Sequence, residues 1–342
     1  MSRILIVKHL GIGDIIMTLP AYFYLVNKYG VNNVDWLADY KMKYILENFM
    51  PKDNILCLDT RLLHQGIFGK IKFLIVSNLM LIGKRYSRIY ILHGHFLYFL
   101  TAILKFWAAR SCLSFRFGRQ SLIRGRYLGL NHFNYVSNED GPIGSFNSYY
   151  NQAVDHLNAL INETQIFSQK KGTDYAVFCL GLGENLGDST STRRRVKMSL
   201  WIELAVMIKT RGLNVIVLCG PGDDKILENA FKNCDVALVK ERSFIKIASL
   251  LRSAKIVVTT DNGMFHLACL SGAKTLALFG PTLFSERCPP VGANVMIYTN
   301  PRAPLCVPCF DGQTVYNCSE NLCLSNILVS EVESFMASAG FI

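Results

Sequence analysis

Short, unbroken apolar runs punctuate this chain, and each stops at a polar or glycine residue before a longer stretch with helical spacing begins. Ile4-Leu5-Ile6-Val7 is cut by Lys8 and followed by Gly11-Ile12-Gly13-Asp14. A short apolar run ending in this way predicts a buried parallel strand over 3–8 and a turn. A helix over 15–29 follows, interrupted early by Pro20 and stopped by Gly30. The same pattern predicts strands over 34–38, 55–59 and 88–92. A polar, basic, weakly periodic stretch at 111–144 and a helix over 146–160 come next. A new series then predicts strands over 175–180, 215–220, 236–239, 256–259 and 275–279. Strands alternating with helices predict parallel sheets covered on both faces. Because the series restarts near 160–172, the expected organisation is two α/β domains, 1–165 and 166–342, with a cleft between them. No period of 20–50 residues recurs, which argues against a solenoid.

Composition supports a packed protein. The chain has 342 residues, 51% hydrophobic and 18% charged, enough for sizeable cores and unlike a disordered segment. Its longest apolar runs, 73–82 and 96–109, are interrupted by Ser77, Asn78, Thr101 and Lys105. They are too short or too polar to span a bilayer, though suited to lying on its surface. Lys8 breaks the first apolar run after four residues, so no secretory signal is expected. Eleven scattered cysteines fit buried thiols in a reducing, cytoplasmic compartment.

Charge changes the picture more. Of the net +11, residues 1–150 hold 18 Lys/Arg against 8 Asp/Glu, whereas 151–342 hold 18 against 17. Residues 60–138 contain twelve basic residues and no acid. The first half is expected to face something anionic, a phosphorylated glycolipid, a membrane surface or nucleic acid; the alternative is a basic surface with no specific partner.

The run Thr259-Thr260-Asp261-Asn262-Gly263-Met264-Phe265-His266 predicts a strand that ends at an acid, an amide and a glycine and restarts as a helix. A second apolar strand then ends at Gly280-Pro281-Thr282. In open α/β sheets, ligands lie beyond the carboxyl ends of strands and near helix N-termini, so this segment reads as half of a site for a phosphorylated ligand. Gly11-x-Gly13-Asp14 lacks the third glycine and the distant acid of a dinucleotide fingerprint. Asp14 is placed either to act as a general base or to cap its helix. The loop 181–192 with Arg193-Arg194-Arg195-Val196-Lys197 reads as a diphosphate clamp or as a solvated basic loop. At Gly220-Pro221-Gly222-Asp223-Asp224 an acid accepts sugar hydroxyls, or Asp224 caps the next helix. Cys306, Cys309, Cys318 and Cys323 have spacings that admit a zinc site, a redox pair or unliganded thiols, the last being preferred. His93 lies after a strand, where it either touches an acceptor or is solvated. No HExxH, GxSxG or Walker A motif is present.

Taken together, Ile4-Leu5-Ile6-Val7-Lys8-x-x-Gly11-x-Gly13-Asp14 with Thr18-Leu19-Pro20, and Thr260-Asp261-Asn262-Gly263-Met264-Phe265-His266-Leu267-Ala268 with Phe279-Gly280-Pro281-Thr282, resemble glycosyltransferase family 9, the ADP-heptose:lipopolysaccharide heptosyltransferases. Trp201-Ile202-Glu203-Leu204-Ala205 extends the likeness. The resemblance implies a GT-B architecture: two Rossmann-like domains with parallel sheets facing across a cleft, acceptor on the first and nucleotide sugar on the second. It implies an inverting transfer of a heptose from ADP-heptose to the lipopolysaccharide inner core, with Asp14 as general base and no cofactor or metal required. Donor contacts implied are Ser189, Thr190, Arg194, Lys197, Asp224, Arg242, Asp261, Asn262, Gly263 and His266. Candidate acceptor contacts are Gly13, Arg61, His93 and Arg119. The chain departs from the family where its donor-clamping lysine falls on Arg194 and Val196-Lys197 replaces the usual Trp-Pro, so either Arg194 or Lys197 carries that charge. The implied partners are the nucleotide sugar, an anionic glycolipid and the inner face of the inner membrane, not nucleic acid. Two alternatives remain: a relative using another nucleotide sugar for a surface glycan, and an inert sugar-nucleotide-binding protein.

Overall fold

The computed structural model describes residues 3–9, 11–92, 111–114, 128–138, 144–164, 174–181, 192–289, 294–309, 318 and 320–340. The chain divides into two compact units, Met1–His156 and Leu157–Ile342.

The first unit holds a five-stranded sheet in the order β3-β2-β1-β4-β5, all neighbours parallel. Its strands are β1 (Arg3–Val7), β2 (Val34–Asp39), β3 (Ile55–Leu58), β4 (Tyr86–Ile91) and β5 (Ser111–Ser114). Successive strand residues point to opposite faces, and both faces here are covered, which is why β1 reads as an unbroken apolar run. Leu5, Val7, Leu37, Ile89 and Ile91 share one core with Phe73 of the helix Gly66–Met80. On the other face Tyr22, from the helix Ile12–Tyr29, packs 5.9 Å from Trp36. Tyr24 of that helix stacks edge-on against Phe133 and Tyr149.

The second unit holds a six-stranded parallel sheet in the order β11-β10-β9-β6-β7-β8. Its strands are β6 (Tyr175–Cys179), β7 (Asn214–Leu218), β8 (Ala237–Val239), β9 (Ile256–Thr260), β10 (Thr275–Phe279) and β11 (Val295–Thr299). Leu276 and Leu278 face a core with Phe178, Trp201, Val258 and Met336. Ala277 and Phe279 face Phe265 on the opposite side.

The elements extend past the apolar runs that announce them. The first helix begins at Ile12 rather than residue 15, and the helix at 146 continues to Thr164. The described part of the basic stretch at 111–144 contains β5, an edge strand defined by its pairing with β4, and the helix Leu128–Ser137. No helix among the described residues is long and apolar enough to cross a membrane.

At the amino end of the first sheet, Asp35 is fully buried and saturated. It accepts hydrogen bonds from Asn54 Nδ2 at 3.0 Å, Tyr86 Oη at 2.7 Å and Lys84 Nζ at 3.0 Å, and pairs with Arg3. A buried carboxylate with cationic partners is costly to remove because the partners are left uncompensated. Asp35→Ala is expected to lower the unfolding free energy by about 3 kcal/mol, read from urea denaturation; a loss under about 0.5 kcal/mol would mean the cluster is not structural.

Candidate active site

In the second unit the chain runs β6-β7-β8 outward and then returns to place β9 on the other side of β6. Strand order reverses between β6 and β9, and connections diverging from such a point leave a crevice at the carboxyl ends of the two strands. Asn262 lies at the ends of these two strands. Its Nδ2 donates to Cys179 O at 3.2 Å, Thr259 Oγ1 at 3.0 Å and Thr260 Oγ1 at 3.1 Å, joining the ends of the two strands. Its Oδ1 accepts from Met264 N at 2.8 Å and Phe265 N at 3.3 Å, capping the helix Gly263–Ser271. The residue facing it is Gly181 at φ 69°, where a Cβ would stand 2.7 Å from Asn262 Nδ2. Only glycine fits both that backbone conformation and that approach.

Asp261, beside it, is 3% exposed. Arg194 Nη1 lies 3.3 Å from Asp261 Oδ2 and donates to Asp261 O at 3.1 Å, while Thr282 Oγ1 donates to Oδ2 at 2.7 Å. Burial opposes ionisation of this carboxyl, but Arg287, Arg194, His266 and the Thr282 hydroxyl outweigh it and hold it below its usual range. His266 is buried on the following helix. The strand end therefore presents a helix N-terminus together with an arginine anchored by an ionised acid, a combination suited to a phosphate group.

A second group lies at the ends of β7 and β8, on the same carboxyl edge. Arg242 Nη1 donates to Cys219 O at 2.7 Å and Nη2 to Gly220 O at 3.3 Å, bracing the turn after β7. Asp223 Oδ2 accepts from Gly220 N at 3.1 Å and occupies the cap position of the helix Asp224–Ala230. Asp224 is thus the first helical residue and not the cap, and it lies 3.9 Å from Lys240 Nζ.

The departure from the family pattern now has a geometry. Arg194 reaches the β9 end, whereas Lys197 is exposed at the N-cap of the helix Met198–Thr210. Arg194, Asp261, Asn262, Gly263 and His266 come together; Asp224 and Arg242 form the neighbouring group. Ser189, Thr190, His93 and Arg119 lie outside the described residues.

In the first unit, strand order reverses between β1 and β4, again at carboxyl ends. Asp14 sits here, in the first turn of the helix Ile12–Tyr29. The cap position belongs to Gly11 at φ 89°, so Asp14 is not the cap. A Cβ on residue 11 would come 2.6 Å from Asp14 Oδ2, so glycine makes room for the carboxylate. Lys8 Nζ, buried at the end of β1, pairs with Asp14 Oδ1 at 3.1 Å, while the Asp14 side chain stays 36% exposed. Gly13 is buried in the same turn. Arg61, beyond β3, forms a two-pronged pair with Asp59 and lies over the Tyr40 ring; that pairing holds the Asp59 carboxyl below its usual range.

Sequence reasoning assigns no individual role to Lys8, Thr282 or Arg287 and leaves Asp223 as one of two acids in a turn. A lysine ending an otherwise apolar buried strand is the signal that marks Lys8. The others depend on which loops meet. The four C-terminal cysteines are free thiols, with Cys309 and Cys323 buried and Cys306 exposed. Among the described residues no group of three or more His, Cys, Asp or Glu side chains is arranged to hold a metal.

Asp261 generates a prediction with a defined sign. Its folded carboxyl titrates below the 3.8 of an unperturbed aspartate, so its contribution is complete above that pH and is lost as pH falls through the folded value. Asp261→Asn is expected to cost about 3 kcal/mol at neutral pH, because Arg194 loses its buried partner, and the gap from wild type should narrow below about pH 4. Urea denaturation across pH checks this; a gap that does not change with pH would show the carboxyl is not ionised.

Residues 157–319 match glycosyltransferase family 9 (heptosyltransferase). Solved structures with the same fold include E. coli heptosyltransferase WaaC with ADP, at 18% identity and TM-score 0.67, over 99% of this chain and 100% of that one. A family 9 glycosyltransferase from Veillonella parvula matches at 15% identity and TM-score 0.69, over 99% and 97%. E. coli ADP-heptose lipopolysaccharide heptosyltransferase II matches at 17% identity and TM-score 0.64, over 99% and 98%. A comparison with curated proteins finds no match. Residues 157–319 of the second unit thus resemble glycosyltransferase family 9, and the whole chain has the two-domain GT-B fold of the solved heptosyltransferases.

Proposed function

We propose that the protein moves a heptose from ADP-heptose to the inner core of a lipopolysaccharide acceptor with inversion at the anomeric carbon. The observation that carries this reading is the family 9 match over 157–319, the part of the chain in which Arg194, Asp261 and the Asn262-capped helix N-terminus meet. The solved relatives with ADP and with ADP-2-deoxy-2-fluoro heptose support an ADP-sugar as donor.

In this reading the diphosphate lies at the N-terminus of the helix Gly263–Ser271 beside Arg194, with Ser189 and Thr190 as further contacts. Asp224 and Arg242 hold the nucleoside side. The acceptor hydroxyl gives its proton to the Asp14 carboxylate while its oxygen attacks the anomeric carbon. The bond from that carbon to the diphosphate oxygen breaks, and ADP departs carrying the bonding electrons. Charge grows on the leaving diphosphate, and a fixed guanidinium and helix N-terminus stabilise that growth without reorganising. Lys8 positions the Asp14 carboxylate through its ion pair, and Asp261 does the same for Arg194. No cofactor enters these steps. The acceptor is an anionic glycolipid, with Gly13, Arg61, His93 and Arg119 as candidate contacts. The protein would act at the inner face of the bacterial inner membrane, where twelve basic residues and no acid in 60–138 favour an anionic partner.

The test measures ADP release from ADP-heptose with a core-lipid acceptor. Asp14→Asn is expected to lower kcat by about 10²–10⁴-fold while leaving ADP affinity unchanged, as befits a group that acts only on the acceptor proton. Turnover unaffected by the substitution would remove Asp14 as base. Absence of turnover with ADP-heptose, but turnover with a UDP- or GDP-sugar, would replace the donor.

A further inference from the structure

The helix Gly66–Met80 is apolar on two opposite sides. One side, through Phe73, closes the core against β1, β2 and β4. The other carries Ile67, Phe68, Ile71, Ile75 and Leu79, all exposed, with Phe68 at 83% and Ile67 at 69%; Ile82, just past the helix, is 63% exposed. At about 100° per residue these helical positions fill an arc of roughly 120°. Lys70 and Lys72 fall on its two edges, Arg85 follows the helix, and all three are exposed.

An exposed apolar stripe of this size marks a contact, and its borders state what kind. An apolar arc edged on both sides by lysines matches a helix lying in the interfacial plane of an anionic membrane. The aliphatic residues enter the acyl boundary, and lysines extend to the headgroups. A second copy of this chain fits less well. A two-fold contact would set the lysine edges against an identical surface, and residues 60–138 offer no acid to receive them. We propose that the helix Gly66–Met80 docks the protein on anionic phospholipid through Ile67, Phe68, Ile71, Ile75 and Leu79, with Lys70 and Lys72 on lipid phosphates. This rests on the membrane location proposed above and adds the surface that achieves it.

The test is vesicle flotation of the full chain, with no glycolipid acceptor and no nucleotide sugar, so its outcome is independent of any transfer activity. Vesicles of phosphatidylethanolamine with phosphatidylglycerol are compared with phosphatidylcholine alone. The wild type is expected to float with the anionic vesicles. The triple change Ile71→Ser, Ile75→Ser, Leu79→Ser should weaken binding about tenfold or more, and the double change Lys70→Glu, Lys72→Glu should weaken it most at low salt. All these side chains are exposed, so both variants should keep the wild-type melting temperature. Phe68→Trp supplies a readout in an otherwise intact helix: added emission that shifts to the blue on anionic vesicles and is quenched by brominated lipid. The proposal is overturned if the wild type does not float with anionic vesicles or the triple variant floats as well. It is equally overturned if Phe68→Trp emission does not respond, or if the wild type sediments as a dimer that the triple variant splits without any vesicle binding. Vesicle binding without transfer would remove the preceding reading and leave this one standing.

Discussion

A buried carboxylate kept ionised by its surroundings organises the second unit. Asp261 ends β9 inside the protein, where a bare charge would be expelled or protonated. It stays charged because Arg194 arrives from the segment after β6, Thr282 from the turn after β10, and Arg287 lies within electrostatic reach. One residue thereby ties the segment after β6 and the turn after β10 to the end of β9. Asn262 adds the other half of the constraint, tying the ends of β6 and β9 together and capping the next helix. An arginine held this way has little further freedom to lose on meeting a ligand, which suits the diphosphate role proposed for it.

The first unit uses aspartates in two contrasting ways on one sheet. Asp35, at the amino end, is fully buried and saturated by Arg3, Lys84, Tyr86 and Asn54, so it has nothing left to offer a substrate. Asp14, at the carboxyl end, retains exposure and pairs with a lysine rooted in β1. Position at the sheet edge separates the structural acid from the candidate base, as the geometry of parallel sheets leads one to expect.

Much of this was legible beforehand because parallel strands buried on both faces read as near-continuous apolar runs, and β1, β6, β9 and β10 each carry one of three to five residues. The edge strand Ser-Cys-Leu-Ser at 111–114 carries no such signal; its identity comes from pairing with β4. At the site, Asp14 and Asp261-Asn262-Gly263 stood out because ligands of open α/β sheets lie beyond the carboxyl ends of strands and near helix N-termini. The choice between Arg194 and Lys197 was not legible. Both are cations a few residues apart, and only the path of the chain puts the first against Asp261 and the second at an exposed helix start. Thr282 looked like part of a Gly-Pro turn, since nothing local says its hydroxyl reaches a residue 21 positions away. Asp224 reads from sequence either as an acceptor for sugar hydroxyls or as a cap, and the cap position belongs to Asp223.

The central claim is that the β9 end, with Arg194, is the donor diphosphate site. A crystal structure of the protein with ADP tests it most directly. The account predicts the diphosphate beside the Gly263 amide and within hydrogen-bond distance of the Arg194 guanidinium, with the nucleoside toward Asp224 and Arg242. A diphosphate bound by Lys197 with Arg194 still turned wholly onto Asp261, or a nucleotide away from the β6–β9 strand ends, would contradict it.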